Sequence, residues 1–336
     1  MKPFGPLEAF TPALARTQQV LFAPFRLGRS WKLAFCAYIA LCGSFFFPFP
    51  LAYLAFLGMK PAGSGPWFVT LIWVGSLVGT VITLLLHYFG SRMQFVLFDY
   101  VATPSQFIAP LWRRYGRQTW SWIWLKFAVL TPIAFVLLLP LYPLFRSLLV
   151  MLPRLQASPN TPPDANLFTE IFSAYFVIAA ASGLIFLVAS ALSDFVLPQL
   201  AIEEVSAATA LRRMMQLFRA EPLTLLGYLG MRFVLAIGGF MAQYIATIVA
   251  TLAIALVLGL TAFLGWLLFH LLVPTAMLAV GAALLYLAFV ACLFWLQLGT
   301  FGIVIVFLRA YSLYFFGGRY TILGELVEQP SRAPGQ

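Results

Sequence analysis

Apolar residues along this chain fall into long unbroken blocks rather than at amphipathic intervals. Residues 33 to 59, 61 to 91, 127 to 145, 171 to 193 and 233 to 308 contain no Asp, Glu, Lys or Arg. About 20 apolar residues are enough for a helix to cross a hydrocarbon core about 30 Å thick, so each block predicts at least one membrane span. The expected spans are Leu33 to Gly58, Trp67 to about Gly90, Trp122 to Met151, Ile171 to Leu197, Pro222 to Leu258 and Thr275 to Tyr314. The fold class that follows is all-α, a polytopic transmembrane bundle of six spans. Pro48 and Pro50 predict a bend in the first span, and Pro140 and Pro143 interrupt the third, because proline cannot donate to the helical ladder. The 76 uncharged residues of the last block would reach about 114 Å as one helix. Two long crossings fit that length, with Leu260 to Val273 laid along the outer interface before Pro274. Four crossings, hence eight spans, are the alternative and would need very short helices.

The segments between spans have their own patterns. Residues 1 to 32 form an N-terminal cytoplasmic and interfacial segment, in which Thr11 and Pro12 predict the start of a short helix through Leu14, Val20 and Leu21, ending before Pro24. The transmembrane domain then covers 33 to 316. A tight turn is expected from Lys60 to Pro66. From Ser91 the polarity becomes mixed and predicts an interfacial elbow, about 91 to 121, with Thr103 and Pro104 as a cap. There Phe107, Ile108, Leu111 and Trp112 oppose Arg113, Arg114 and Arg117, and Trp112, Trp120, Trp122 and Trp124 have the composition of a headgroup belt. Residues 153 to 170, rich in proline, read as an external loop. A second elbow, about 198 to 221, holds a helix capped by Ser206 that runs from Ala207 to Arg219. Its Leu211, Met214, Met215, Leu217 and Phe218 form an apolar arc opposite Arg212, Arg213 and Arg219. Residues 317 to 336 form a cytoplasmic tail.

Composition agrees with the blocks and adds an orientation. Hydrophobic residues make up 62% and charged residues only 9%, against roughly 25% charged in a water-soluble domain. A soluble catalytic domain, a disordered chain and a disulfide-framed secreted module are thereby excluded. The formal net charge of +10 is concentrated in alternate connections. Lys2, Arg16, Arg26, Arg29 and Lys32 precede the first span, Arg92, Arg113, Arg114 and Arg117 follow the second, and Arg212, Arg213 and Arg219 follow the fourth. Under the positive-inside rule these face the cytoplasm, placing both termini there, and they meet anionic headgroups. Membrane lipids, and other membrane-protein subunits, are the expected partners. Nucleic acid is not, since topology alone accounts for the basic loops. The first apolar run is too long for a cleaved signal and should stay as a span.

Cys36, Cys42 and Cys292 all lie in apolar runs and behave as small hydrophobes. With only His87 and His270 beside them, no spaced cluster suggests a metal, and no cofactor is expected. Nucleotide-binding, zinc-protease and serine-hydrolase motifs are absent from the sequence. A charge within a span is costly and is a functional candidate by default, which selects Asp194, Arg232 and Arg309, with Arg92 at a span end, as an intramembrane charge network. Each also has an ordinary explanation, Asp194 as a helix-end marker or an ion pair with Arg232 or Arg309, and Arg309 by snorkelling. Glu203 and Glu204 diverge by about 100° if helical and suit the start of the helix capped by Ser206 better than acid/base work. The interfacial lipid-facing set is Arg113, Arg114, Arg117, Trp112, Trp120, Arg212, Arg213 and Arg219. Gly75 and Gly79, Ser182 and Gly183, and Gly238 and Gly239 permit close helix approach. Both elbows also share an order, with Asp99 ahead of Arg113, Arg114 and then Lys126 in the next span, and Asp194 ahead of Arg212, Arg213 and then Arg232, suggesting a duplicated half.

Four segments carry a family resemblance: Ser91-Arg92-Met93-Gln94-Phe95-Val96-Leu97-Phe98-Asp99, Pro110-Leu111-Trp112-Arg113-Arg114-Tyr115, Asp194-Phe195-Val196-Leu197-Pro198, and Phe307-Leu308-Arg309-Ala310-Tyr311-Ser312-Leu313-Tyr314. Together they resemble an uncharacterised group of bacterial multi-pass membrane proteins, loosely over residues 20 to 320. The second elbow is also similar to the membrane domain attached to some glycerophosphodiester phosphodiesterases, whose soluble catalytic part has no equivalent in this sequence. The resemblance implies a bacterial inner-membrane protein and no activity. The function expected is that of a non-enzymatic bundle that interacts with lipids or binds a partner as a scaffold or complex subunit. The alternative is a transporter of a small solute or lipid through a polar site near Asp194, Arg232 and Arg309, and an intramembrane enzyme comes third.

Overall fold

A computed structural model describes residues 3–22, 27–44, 66–103, 108–142, 165–269 and 274–328. Every regular element among them is helical. In order these are α1 (Phe10–Phe22), α2 (Leu27–Cys42), α3 (Pro66–Ala102), α4 (Ile108–Arg114), α5 (Gly116–Leu138), α6 (Ala165–Ala191), α7 (Leu197–Ile202), α8 (Ala207–Ala220), α9 (Pro222–Phe269), α10 (Thr275–Gly317) and α11 (Thr321–Glu328). A 3₁₀ turn at Leu139–Leu141 follows α5, and a π-helical turn at Leu192–Val196 joins α6 to α7. Five helical stretches are long and apolar enough to cross a membrane: Trp73–Ala102, Gly116–Leu141, Phe172–Ile202, Pro222–Leu268 and Met277–Gly317. Of the first expected span only the shorter apolar helix Ser30–Cys42 falls within the described residues. The expected bend at Pro48, the turn from Lys60, Pro104 of the proposed cap, residues 153–164 of the external loop, His270 and the tail beyond Glu328 lie outside them.

Three boundaries differ from expectation. The polar stretch from Ser91, expected to leave the bundle as an elbow, is helix to Ala102, and Ser91, Gln94 and Phe95 to Phe98 are buried. Polar side chains there bond within the protein rather than to water, so they do not end the helix. The last residues of the expected external loop, from Ala165, are the first turns of α6. Most clearly, α9 runs unbroken for 48 residues and α10 for 43, about 72 and 64 Å at 1.5 Å per residue. This removes the eight-span alternative and the interfacial segment over residues 260–269, because nothing between Leu223 and Phe269 supplies a proline or charge cluster to stop the helix.

The chain divides into two compact units, the first made of residues 1–38, 97–106 and 223–336 and the second of 39–96 and 107–222. In the first, α1 runs antiparallel to the end of α10. Phe4 meets Tyr314 at 6.4 Å between ring centroids, Tyr311 donates to the Pro6 carbonyl at 2.8 Å, and Phe10 meets Phe307 at 5.5 Å. Arg16 of α1 is buried and donates to the carbonyls of Val101 and Ala102, two of the four that the end of α3 leaves without helical partners. Burial lowers the pKa of this guanidinium from its ordinary value, although a guanidinium stays protonated in proteins. The α9–α10 hairpin is zipped by Tyr228 against Tyr311, Phe240 against Phe301, and Gln243 against Gln297, pairs that step in opposite directions along the two helices. Gly302 lets α10 come against Ala34 of α2. α11, expected as tail, folds back on α10 and buries Leu323, Gly324 and Val327.

Candidate functional site

The densest polar cluster of the second unit forms where α2 stops. Helix α2 ends at Cys42 in a turn over Gly43 and Ser44, so its last carbonyls need donors from elsewhere. Those donors come from α3 and α5. Lys126, 3% exposed, places Nζ 2.6 Å from the Gly43 carbonyl and 2.7 Å from Ser91 Oγ, and 5.3 Å from the centre of the Trp122 ring. Gln94 donates through Nε2 to the Ala40 carbonyl at 3.1 Å and to Ser44 Oγ at 2.7 Å, while its Oε1 accepts from Trp122 Nε1 at 2.6 Å. The geometry depends on two glycines. Gly43 and Gly90 touch backbone to backbone, which brings the end of α2 within reach of Ser91, Gln94 and Lys126.

Among the described residues no carboxylate lies within ion-pair distance of Lys126. Its charge is instead set against the carbonyl end of a helix, where the macrodipole favours a cation. Broken helices in transport proteins hold cations at such carbonyl ends. In the sequence Lys126 stands out only as the basic residue of the span after the first elbow and not as part of a site, although a signal for one was present. Lys126 is the only charged residue between Arg117 and Arg146, and Gly-Ser pairs stand at 43–44 and 90–91.

Asp194, which sequence did select, occupies the π turn and is 1% exposed. The cause of that turn is local. Pro198 has no N–H for the Asp194 carbonyl four residues back, and the ladder widens so that Leu197 N–H reaches the Leu192 carbonyl. Ser193 Oγ lies 3.4 Å from Asp194 Oδ1, and Ser190, Ser193 and Gln199 are buried on the same stretch.

Arg92 belongs to this second unit as well. Its Nε donates to the Trp112 carbonyl at 2.8 Å and Nη1 to the Tyr88 hydroxyl at 2.9 Å, with the guanidinium 4.3 Å from the centre of the Trp112 ring. Arg232 and Arg309 lie in the first unit, both buried. Arg232 Nη1 donates to the Tyr228 hydroxyl at 3.3 Å and to the Leu308 carbonyl at 3.2 Å, and the Tyr228 ring stacks on Phe315 at 4.1 Å. A second polar lock unseen in the sequence sits in the hairpin. There Gln243 donates to Gln297 at 2.8 Å and to Thr247 at 3.0 Å.

A family match covers residues 5–326, to the family of unknown function DUF7544. The chain belongs to that family. No curated protein and no solved structure matches it. The likeness of the second elbow to phosphodiesterase membrane domains therefore finds no counterpart in these comparisons, and membership in DUF7544 brings no activity with it.

The two basic corners of this DUF7544 protein differ in their neighbours. On α4 and the start of α5, Arg113, Arg114 and Arg117 are exposed, as are Trp120 and Trp124, while Trp112 is half-buried with its ring stacked on Phe89 at 5.7 Å. On α8, Ser206 caps the helix as expected, its Oγ accepting from Thr209 N–H. Arg212, Arg213 and Arg219 are exposed there, but both oxygens of Glu203 lie against Arg213 Nη1, at 2.9 and 2.8 Å. Glu203 thus ties the turn to α8 instead of lying at the helix start. Glu204 beside it has a positive φ of 54° in that turn. Gly239 packs against Val304, whereas Gly75, Gly79 and Gly238 face open space, so the Gly75 and Gly79 pair is not a packing seam among the described residues.

Proposed function

We propose that this protein is a non-enzymatic integral membrane protein of the bacterial inner membrane, with six spans, both termini cytoplasmic, and a bundle that holds lipids or a partner subunit. One observation carries the reading. The most apolar stretches of α9 and α10 contribute no buried residue, and the large hydrophobic side chains exposed along these helices are Leu, Ile, Val, Phe, Tyr, Met and Trp. A helix apolar on every side is stable only in acyl chains or against another apolar surface. The charge-free part of α9, residues 233–269, spans about 55 Å, more than a core of about 30 Å accommodates at ordinary tilts. That surplus favours strong tilt, local thickening or association within the membrane over a plain single crossing.

The reading predicts that the full chain, reconstituted in vesicles, resists extraction at alkaline pH. Exposed Trp266 and Trp295 should be quenched by brominated acyl chains and not by iodide in the water phase. Subtracting the spectrum of a Trp266→Phe, Trp295→Phe variant isolates their signal. Iodide quenching of both in sealed vesicles would remove the acyl-solvated hairpin and the reading with it. For orientation, a C-terminal tag should be cleaved by added protease in inverted vesicles and spared in right-side-out ones.

Transport of a small solute or lipid is favoured by a different observation, the burial of Asp194, Arg232 and Arg309. Its prediction is that Asp194→Asn keeps the folded yield while abolishing transbilayer movement of a fluorescent phosphatidylglycerol in vesicles. Asp194→Ala should lower the yield as well, since the amide retains hydrogen bonding that a methyl lacks. Movement at the wild-type rate in Asp194→Asn would dismiss lipid transport through this residue.

A further inference from the structure

We infer that the α4–α5 corner, formed by Arg113, Arg114 and Arg117 with Trp120 and Trp124, is a docking site for the headgroup of an anionic phospholipid, and that the α8 corner is not. The inference rests on the lipid-holding reading above and narrows it to one of two places that look equivalent in sequence.

Charge balance separates them. Residues 199–221 contain three arginines, Arg212, Arg213 and Arg219, and three glutamates, Glu203, Glu204 and Glu221, and so sum to zero. Glu203 already holds Arg213 with both oxygens at 2.8 and 2.9 Å. An anion approaching α8 meets carboxylates along with guanidinium groups, and one of those groups is already engaged.

The α4–α5 corner differs in charge, and its Arg114 lies 5.4 Å from the centre of the Tyr115 ring. No Asp or Glu occurs between Asp99 and Asp164, so the three arginines stand in a stretch with no acid of its own. All three are exposed. Behind them, Arg92 is fixed by the Trp112 carbonyl, the Tyr88 hydroxyl and the Trp112 face, with Nη2 turned toward Gly116, 3.7 Å from where a Cβ on that residue would sit. A guanidinium held in place loses little freedom on meeting a phosphate and presents a planar fork of donors.

The neighbouring surface identifies the bearer of the phosphate as a lipid. Trp120 is 55% exposed and Trp124 67%, and Phe127 is exposed one turn further along α5. Exposed indole rings beside arginines are the pattern of a headgroup layer, with a polar edge for the glycerol region and a flat apolar face for the first methylenes. A free phosphate or a soluble acidic ligand would have no use for that aromatic surface. The occupant is therefore an anionic glycerophospholipid, its phosphate on the arginines and its upper chain along Trp120 and Trp124.

The test uses the full chain in mild detergent, titrated with phosphatidylglycerol or phosphatidylcholine and read by native mass spectrometry as lipids bound per protein. Wild type should bind phosphatidylglycerol in preference to phosphatidylcholine, and excess inorganic phosphate should not displace it. Arg113→Gln, Arg114→Gln, Arg117→Gln together should weaken phosphatidylglycerol binding roughly a hundredfold, as expected for three cations near a surface. The corresponding triple lysine variant should keep most of the affinity, and Arg212→Gln with Arg219→Gln should leave it unchanged.

Should the triple glutamine variant not fold, Arg117→Gln alone at an exposed position should still weaken phosphatidylglycerol binding roughly fivefold, and an unchanged affinity would overturn the site. Equal binding by wild type and the triple glutamine variant, or equal losses at both corners, would overturn the assignment of the site while leaving the lipid-holding reading intact. Displacement by inorganic phosphate would overturn the lipid as its source. If wild type retains no phospholipid of either kind, the broader reading falls together with the site.

Discussion

Lys126→Glu is expected to leave no folded protein to purify. In the wild type an ammonium fills the space between the Gly43 carbonyl and Ser91 Oγ, at 2.6 and 2.7 Å, with almost no exposure. A carboxylate there sets acceptor against acceptor at the negative end of α2, and an uncompensated buried charge costs several kcal/mol. Against a total stability of about 5 to 15 kcal/mol, that loss is decisive. The milder replacements separate the two contributions of the lysine. Lys126→Met removes both the cation and its desolvation, and leaves the Gly43 carbonyl without its strong donor, for an expected cost of about 2 kcal/mol. Lys126→Gln restores a shorter donor and should fall between wild type and Lys126→Met. The order of thermal midpoints in mild detergent, read by the monomer peak remaining after heating, checks the series. A Lys126→Glu protein that survives heating like Lys126→Met would show that the ammonium does not close the end of α2. A Lys126→Met protein more stable than wild type would mean that the lysine is kept for something other than stability, as happens where buried ions can be replaced by apolar groups at a gain.

The same cluster shows what could be read along the chain and what could not. Charge exclusion is a one-dimensional signal, and the five spans expected from Trp67 onward all appear as long apolar helices. The local capping signal at Ser206 was legible and starts α8, whereas Thr11, expected to cap the first helix, lies inside α1, which begins at Phe10. Helix ends near polar residues were not legible. Ser91, Arg92 and Gln94 look the same in sequence whether they face water or hydrogen-bond inside a bundle, and here Gln94 and Ser91 are used inside, so α3 continues to Ala102. Asp194 announced itself by its cost within an apolar run, but its π turn follows from Pro198 four residues later, a backbone effect that charge counting does not register. The partners of Lys126 lie 35 and 83 residues away in the chain. Only the crossing of α2 and α3 brings them together, and no local pattern encodes that crossing.

Gly43→Ala and Gly90→Ala test the crossing itself, and each is expected to cost about 3 kcal/mol, at the upper end of what overpacking usually exacts. A Cβ on Gly43 would run into the Gly90 carbonyl carbon and the Ser91 nitrogen, and one on Gly90 into the Gly43 backbone and the Ile39 carbonyl oxygen. These obstacles are main-chain atoms of two helices, so no rotamer change can relieve them and the helices themselves must separate. Separation draws the Gly43 carbonyl away from Lys126 and the Ala40 carbonyl from Gln94, so part of the loss is lost hydrogen bonding as well as strain. The two effects share one structure, and the double variant should cost less than the sum of the singles. Gly75→Ala and Gly79→Ala are the controls on the same α3 helix. A Cβ at either meets nothing within 4 Å, so both should match wild type or exceed it by up to about 1 kcal/mol through helix propensity. The measurement is the same thermal midpoint in mild detergent. If Gly90→Ala melts with Gly75→Ala, the backbones of α2 and α3 do not meet there, and the closed polar cluster built on that meeting loses its foundation.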